Sequence, residues 1–109
     1  MTKIEFYFGV GYDKDGNPIS RETVDSAVQA IQHRAAELFG GVTLCKTRGS
    51  WHNHATDMTV HERGFVATVL MDTTENVDGK ISALADLIKS ELVQQSVVVV
   101  RQPVTVQFV

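Results

Sequence analysis

The chain opens on strict alternation, with Ile4, Phe6, Phe8 and Val10 on one side of an extended segment and Glu5, Tyr7 and Gly9 on the other. Period two marks a strand with one packed face and one partly free face. The turn formers Tyr12-Asp13-Lys14-Asp15-Gly16-Asn17-Pro18 then close that strand. From Ser20 the period becomes helical. Ser20 suits an N-cap, and Ile19 and Val24 have the spacing of a hydrophobic staple. Val24, Ala27, Val28, Ile31, Ala35 and Leu38 form one apolar stripe, opposite Arg21, Asp25, Gln29, Gln32 and Glu37. Gly40-Gly41 stops the helix, because glycine enters the left-handed conformation without a Cβ penalty.

A second strand is predicted over 42–48, where Val42, Leu44 and Lys46 alternate with Thr43, Cys45 and Thr47. The polar stretch Gly49 to Asp57 reads as a loop. Residues 60–71 are apolar on both faces, which predicts a central strand. A second helix is predicted over 76–93, with Val77, Ile81, Leu84, Leu87, Ile88 and Leu92 as its stripe and Gly79 as a weak point. Val97 to Val100 form a further strand, and Pro103 separates it from an alternating tail, Val104, Val106 and Phe108, read as an extra C-terminal strand edge. Each helical stripe must be buried on the sheet. The order β-α-β-β-α-β therefore predicts a ferredoxin-like α+β sandwich: a single domain over 1–109, two helices on one face of a mainly antiparallel sheet. That architecture hosts metal binders, RNA binders, sensors and enzymes, so function has to be argued from a site.

Composition narrows the classes. A chain of 109 residues can bury roughly 60–70% of its unfolded surface in one core and needs no disulfide framework. The lone Cys45 reads as a small buried hydrophobe in a reduced compartment. No basic n-region followed by an apolar h-region opens the chain, and no apolar run approaches the roughly 20 residues that span a bilayer. The expectation is a cytoplasmic protein that is neither secreted nor membrane-embedded. A formal charge of −3 with scattered Lys and Arg gives no basic stripe, which argues against nucleic acid as a partner.

Three local signals carry candidate chemistry. Asp13-Lys14-Asp15-Gly16-Asn17 begins like a calcium-binding EF-hand loop, but Pro18 stands where glycine is needed and Val24 where a bidentate Glu is needed, so it reads as an acidic turn. His52, His54 and His61, with Asn53 and Glu62, offer imidazole and carboxylate ligands for zinc. Their spacing matches no closed zinc pattern. The third signal is Trp51 in a polar stretch followed by Glu62 at the entrance to the most apolar strand. Its ordinary reading is an amphipathic Trp capping the core beside an exposed strand-end carboxylate.

The stretch Arg34-Ala35-Ala36-Glu37-Leu38-Phe39-Gly40-Gly41-Val42, followed by Gly49, Trp51, Glu62 and the strand near Phe65, resembles the core of the small phage-encoded S-adenosylmethionine lyases, formerly called hydrolases. The likeness runs over roughly residues 34–100 as order and spacing. In that family an aromatic residue precedes an important glutamate by the interval that separates Trp51 from Glu62. The resemblance implies a PII-like trimer with sites between subunits, no cofactor, and a phage anti-restriction role in the cytoplasm of an infected bacterial host. The family's aromatic is a tyrosine, so a role that needs a phenolic hydroxyl is not supplied by Trp51. The same pattern, with Trp, also resembles an uncharacterised bacterial family of similar size.

What the resemblance implies chemically is an intramolecular displacement. The substrate's own carboxylate attacks its γ-carbon and expels 5′-methylthioadenosine, leaving homoserine lactone. Glu62 is then the anchor for the substrate's ammonium or ribose hydroxyls, Trp51 a π face for adenine or sulfonium, and the backbone of Gly49, Ser50 and His52 a set of adenine contacts. Two other classes stay open: a non-enzymatic PII-like module that binds an adenine compound, and a metal-dependent site on His52, His54 and His61.

Overall fold

The computed structural model describes all 109 residues. Its elements are β1 (Thr2–Gly9), α1 (Arg21–Phe39), β2 (Thr43–Asn53), β3 (Met58–Met71), α2 (Val77–Leu92) and β4 (Val98–Pro103). The sheet order is β2-β3-β1-β4, every neighbour antiparallel. This is the ferredoxin-like α+β arrangement that the alternation and the two helical stripes predict.

Core formation follows the pattern directly. Ile4, Phe6 and Phe8 of β1 and Val10 just beyond it meet Ala67, Val69 and Met71 of β3 beneath Ala27, Ile31 and Ala35 of α1 and Leu84, Ile88 and Leu92 of α2, all buried. Burial of this apolar surface is the principal stabilising term, at about 25 cal/mol per Å². Ser20 caps α1, its Oγ accepting the Thr23 N–H at 3.1 Å. Gly40, at φ 85°, ends that helix with its N–H on Ala36 O. Gly79 is more than a weak point in α2. A Cβ there would meet the amide of Asn76, the N-cap that accepts the Gly79 N–H, so the glycine is what lets this cap form.

Three expectations are corrected. The stretch Gly49–Asn53 is strand, not loop, because β3 begins at Met58 and pairs with it residue for residue, from Gly49↔Glu62 to Asn53↔Met58. Only residues 54–57 turn. Asn53 Oδ1 accepts the Ala55 N–H at 2.9 Å, and Asp57 takes a left-handed φ of 56°. Cys45 is exposed: it pairs with Val66 on the face away from the helices, whereas Leu44 and Ala67 face them. The tail 104–109 forms no strand. Two bonds, from the Val104 N–H to Met1 O at 3.0 Å and from the Met1 ammonium to Val104 O at 3.4 Å, prolong β4 before the chain leaves the sheet.

Of β3, only Gly64–Met71 pairs with β1. The remainder of the β2–β3 hairpin extends past that pairing as a two-stranded arm, in a molecule of 46 × 27 × 26 Å. No helix is long and apolar enough to cross a membrane.

Candidate functional site

Glu62 stands where the arm leaves the body of the sheet. It pairs with Gly49 on the face turned away from the helices, and its side chain is half-buried. Its Oε1 accepts the Tyr12 backbone N–H at 3.3 Å. The room it occupies exists because two side chains are absent. A Cβ on Gly9 would collide with the Glu62 carboxylate, and one on Gly11 would lie 3.3 Å from its Cγ. Any other residue at position 9 would displace the carboxylate.

The Gly9–Tyr12 segment is itself held in place from α2. Gln94 Nε2 donates to Tyr12 O at 2.8 Å and is shared with Gly9 O and Leu92 O at 3.3 Å. The Lys14 N–H donates to Val93 O at 2.8 Å. Val93 ends α2 at φ 50°, a conformation that costs a β-branched residue free energy and persists only where its surroundings fix it. The hydrogen bonds around Gln94 and Lys14 supply that constraint. The result is a hollow of about 240 Å³ lined by Gly11, Tyr12, Ile19, His61, Glu62 and Arg63.

Strand alternation divides the residues that the sequence put forward. Trp51 pairs with Val60, two steps along the arm from the Gly49↔Glu62 pair, so Gly49, Trp51 and Glu62 share the open face, with Trp51 and Glu62 as diagonal neighbours. Trp51 is 51% exposed; it does not cap the core. Ser50 and His52 belong to the opposite face. There Ser50 Oγ and His61 Nδ1 are 2.8 Å apart, and His52 Nε2 lies 3.0 Å from Asp57 Oδ1. The rings of His52 and His54 meet edge to face at 5.0 Å, on one side of the chain as residues two apart on extended backbone are. No group of three His, Cys, Asp or Glu side chains is arranged to hold a metal ion. The acidic turn closes on itself, Asp13 Oδ1 accepting the Asp15 and Asn17 N–H groups at 2.9 and 3.0 Å.

The open face is also apolar. Val98 is 60% exposed, Val100 and Tyr7 40%, and Leu70 38%, with the Tyr7 hydroxyl donating to Glu5 Oε2 at 3.1 Å. That bond, desolvation and the neighbouring carboxylate charge push the phenol above its ordinary range.

Gly9, Gly11, Tyr12 and Gln94 were not singled out by sequence reasoning. The glycines did leave a signal: Phe8-Gly9-Val10-Gly11 interrupts a strand pattern with residues that mark close approach. Gln94 left none, since its partners are backbone oxygens, most of them far away in sequence.

A family model described as a protein of unknown function, DUF3574, matches residues 3–108. The chain belongs to the DUF3574 family. Among curated proteins, none matches this DUF3574 chain. Among solved structures it is similar to a phage SAM lyase in complex with S-methyl-5′-thioadenosine, at 20% identity and a TM-score of 0.66, covering 93% of this chain and 79% of that one. It is also similar to the periplasmic divalent cation tolerance protein CutA of Archaeoglobus fulgidus, at 10% identity and a TM-score of 0.59, covering 99% and 88%. The Cut A1 divalent cation tolerance protein of Thermus thermophilus follows at 13% identity, a TM-score of 0.58 and coverage of 99% and 88%. At these identities the likeness speaks for the fold. The phage SAM lyase is thus a structural neighbour of the chain whose residues 34–100 resemble that family.

Proposed function

We propose that this DUF3574 protein is an S-adenosylmethionine lyase. In this reading the substrate carboxylate attacks its own γ-carbon, a C–O bond forms as the C–S bond breaks, and the electron pair leaves with 5′-methylthioadenosine while homoserine lactone remains. The sulfonium is a good leaving group, so the protein's task is to fold the methionine chain into attack geometry and exclude water. A small fold without a nucleophile–base pair suffices for that.

The observation that carries the reading is the placement of Glu62, anchored by the Tyr12 N–H over Gly9 and Gly11, on the face that also presents Trp51. Glu62 is assigned to the substrate ammonium or the ribose hydroxyls. Trp51 offers its π face to adenine or to the sulfonium, a contribution of about 0.5–2 kcal/mol. Gly49, Ser50 and His52 lie on β2, an edge strand; the outward backbone groups of Ser50 and His52 are assigned to the adenine, with Gly49, whose own groups turn towards Glu62, beside it. Ser50 and His52 act here through their backbone, their side chains being on the far face. The exposed Val98, Val100, Tyr7 and Leu70 supply the surface on which copies associate, and a trimer with sites between subunits would shield Trp51 and Glu62 from water.

The test is incubation of the purified protein with S-adenosylmethionine, with and without EDTA, followed by mass spectrometry of the products. Methylthioadenosine with homoserine lactone, unaffected by chelation, is the expected outcome, and Glu62→Gln abolishes turnover while leaving the fold intact. Unchanged substrate would move the assignment to a PII-like module that binds an adenine compound and returns it unaltered.

A further inference from the structure

The helix-bearing side of the molecule carries a second and larger concavity. It measures about 710 Å³ and lies between the first turn of α1 and the base of the arm, a volume in the range of small-molecule sites. Val10, Ile19, Val24 and Phe65 give it an apolar wall. Around that wall stand Arg21, Lys46, Arg48 and Arg63, opposed by one carboxylate, Asp25.

Six of the chain's cationic side chains take part in no ion pair, and all of these but Lys3 and Lys14 line this cleft. The chain has 10 Lys and Arg residues. Arg34, Lys80, Lys89 and Arg101 each pair with a carboxylate, whereas none of the four at the cleft takes part in an ion pair. A chain of formal charge −3 thus gathers unneutralised positive charge at one concave place. Like charges so gathered repel one another unless a counter-charge enters, and a concave low-dielectric wall focuses their field. The first turn of α1, at the cleft's edge, adds the positive end of the helix dipole. In sequence the four are spread from residue 21 to residue 63; pairing of β2 with β3, which sets Arg48 against Arg63 and Lys46 against Phe65, brings them together.

We propose that this cleft binds a small phosphorylated organic anion, its phosphates among Arg21, Lys46, Arg48 and Arg63 and its organic part on Val10, Val24 and Phe65. Guanidinium groups match phosphate oxygens in pairs of charge-assisted hydrogen bonds, and four cations against the single carboxylate of Asp25 leave more positive charge than one carboxylate ligand needs. S-adenosylmethionine, net positive, is repelled from this cleft, which shares only Ile19 and Arg63 with the hollow beside Glu62, and its test needs no lyase activity.

Calorimetric titration of the whole protein with adenosine diphosphate and with inorganic pyrophosphate examines both halves of the assignment. Saturable binding is expected, tighter for adenosine diphosphate, and weaker as salt rises. The double variant Lys46→Gln/Arg48→Gln weakens it about tenfold or more through the loss of two charge-assisted contacts. Asp25→Asn removes the opposing carboxylate and tightens binding, an effect of a sign that misfolding does not produce. No saturable binding of either probe, unchanged affinity in the double variant, or weaker binding in Asp25→Asn would each overturn the site. Equal affinity for the two probes would overturn the part given to the apolar wall.

Discussion

The two faces of the sheet are built from the same strands and differ in almost everything else. On the covered face Phe6 and Ile4 are wholly buried under the helices. On the open face their neighbours Tyr7 and Glu5 are left to solvent, joined to each other by a single hydrogen bond. Directly beneath the helices the covered face is saturated: its side chains have found their packing partners, and no titratable group is buried there. The open face is unsaturated, and it holds the anchored carboxylate of Glu62 beside an exposed tryptophan. A strand with period two cannot build one face without exposing the other, so the surface available for chemistry or association is fixed by where the helices pack.

Adjacent substitutions test this contrast most sharply. Phe6→Ala should cost about 3–5 kcal/mol in denaturant unfolding, whereas Tyr7→Ala, one residue along, should cost no more than about 0.5 kcal/mol when measured at a dilution that separates the subunits, as at an uncovered surface. A loss at Tyr7 as large as at Phe6 under that condition would mean that the open face is packed within the subunit itself. Next in size is Gly9→Ala, which drives the Glu62 carboxylate from its place. Turnover of S-adenosylmethionine should fall about 100-fold, the cost of a displacement near 1 Å, with the far-ultraviolet circular dichroism unchanged. Full activity in that variant would separate Glu62 from the chemistry.

Smaller effects reach the edges of the comparison. Val98→Lys puts a charge on the exposed apolar patch of β4, and sedimentation should show the mass falling to that of one subunit with the subunit's own fold retained. The smallest effect lies away from both faces. The Thr74 N–H and hydroxyl both donate to Asp72 Oδ1 at 3.1 Å, and these bonds hold the carboxyl below its ordinary value. A carboxyl lowered on folding contributes stability that is present above the ordinary carboxylate range and lost as pH falls through the lowered value. Asp72→Ala should therefore flatten the acid limb of the thermal stability profile slightly, with only a small loss of stability at neutral pH.

Much of the fold was legible because its signals are local. The alternation of Ile4 to Val10, the stripe from Val24 to Leu38, the Ser20 cap and the Gly40 stop each depend on residues within a few positions of one another. The length of β2 was not, because Trp51, His52 and Asn53 are polar or amphipathic and become strand only through their partners on β3. Cys45 was misplaced for a related reason: alternation tells which residues share a face, but not which face an edge strand turns to the helices.

The sequence by itself determined the elements, their order and the core, since period and capping follow from backbone geometry and the burial of apolar stripes. It also put Trp51 and Glu62 forward. Only the tertiary structure decided that Trp51 and Glu62 share a face while Ser50 and His52 lie behind them. It alone brought Gly9, Gly11 and Gln94 around the carboxylate, and turned scattered cations into a cleft. Those are facts of register and of close approach between distant segments, and no local period encodes them.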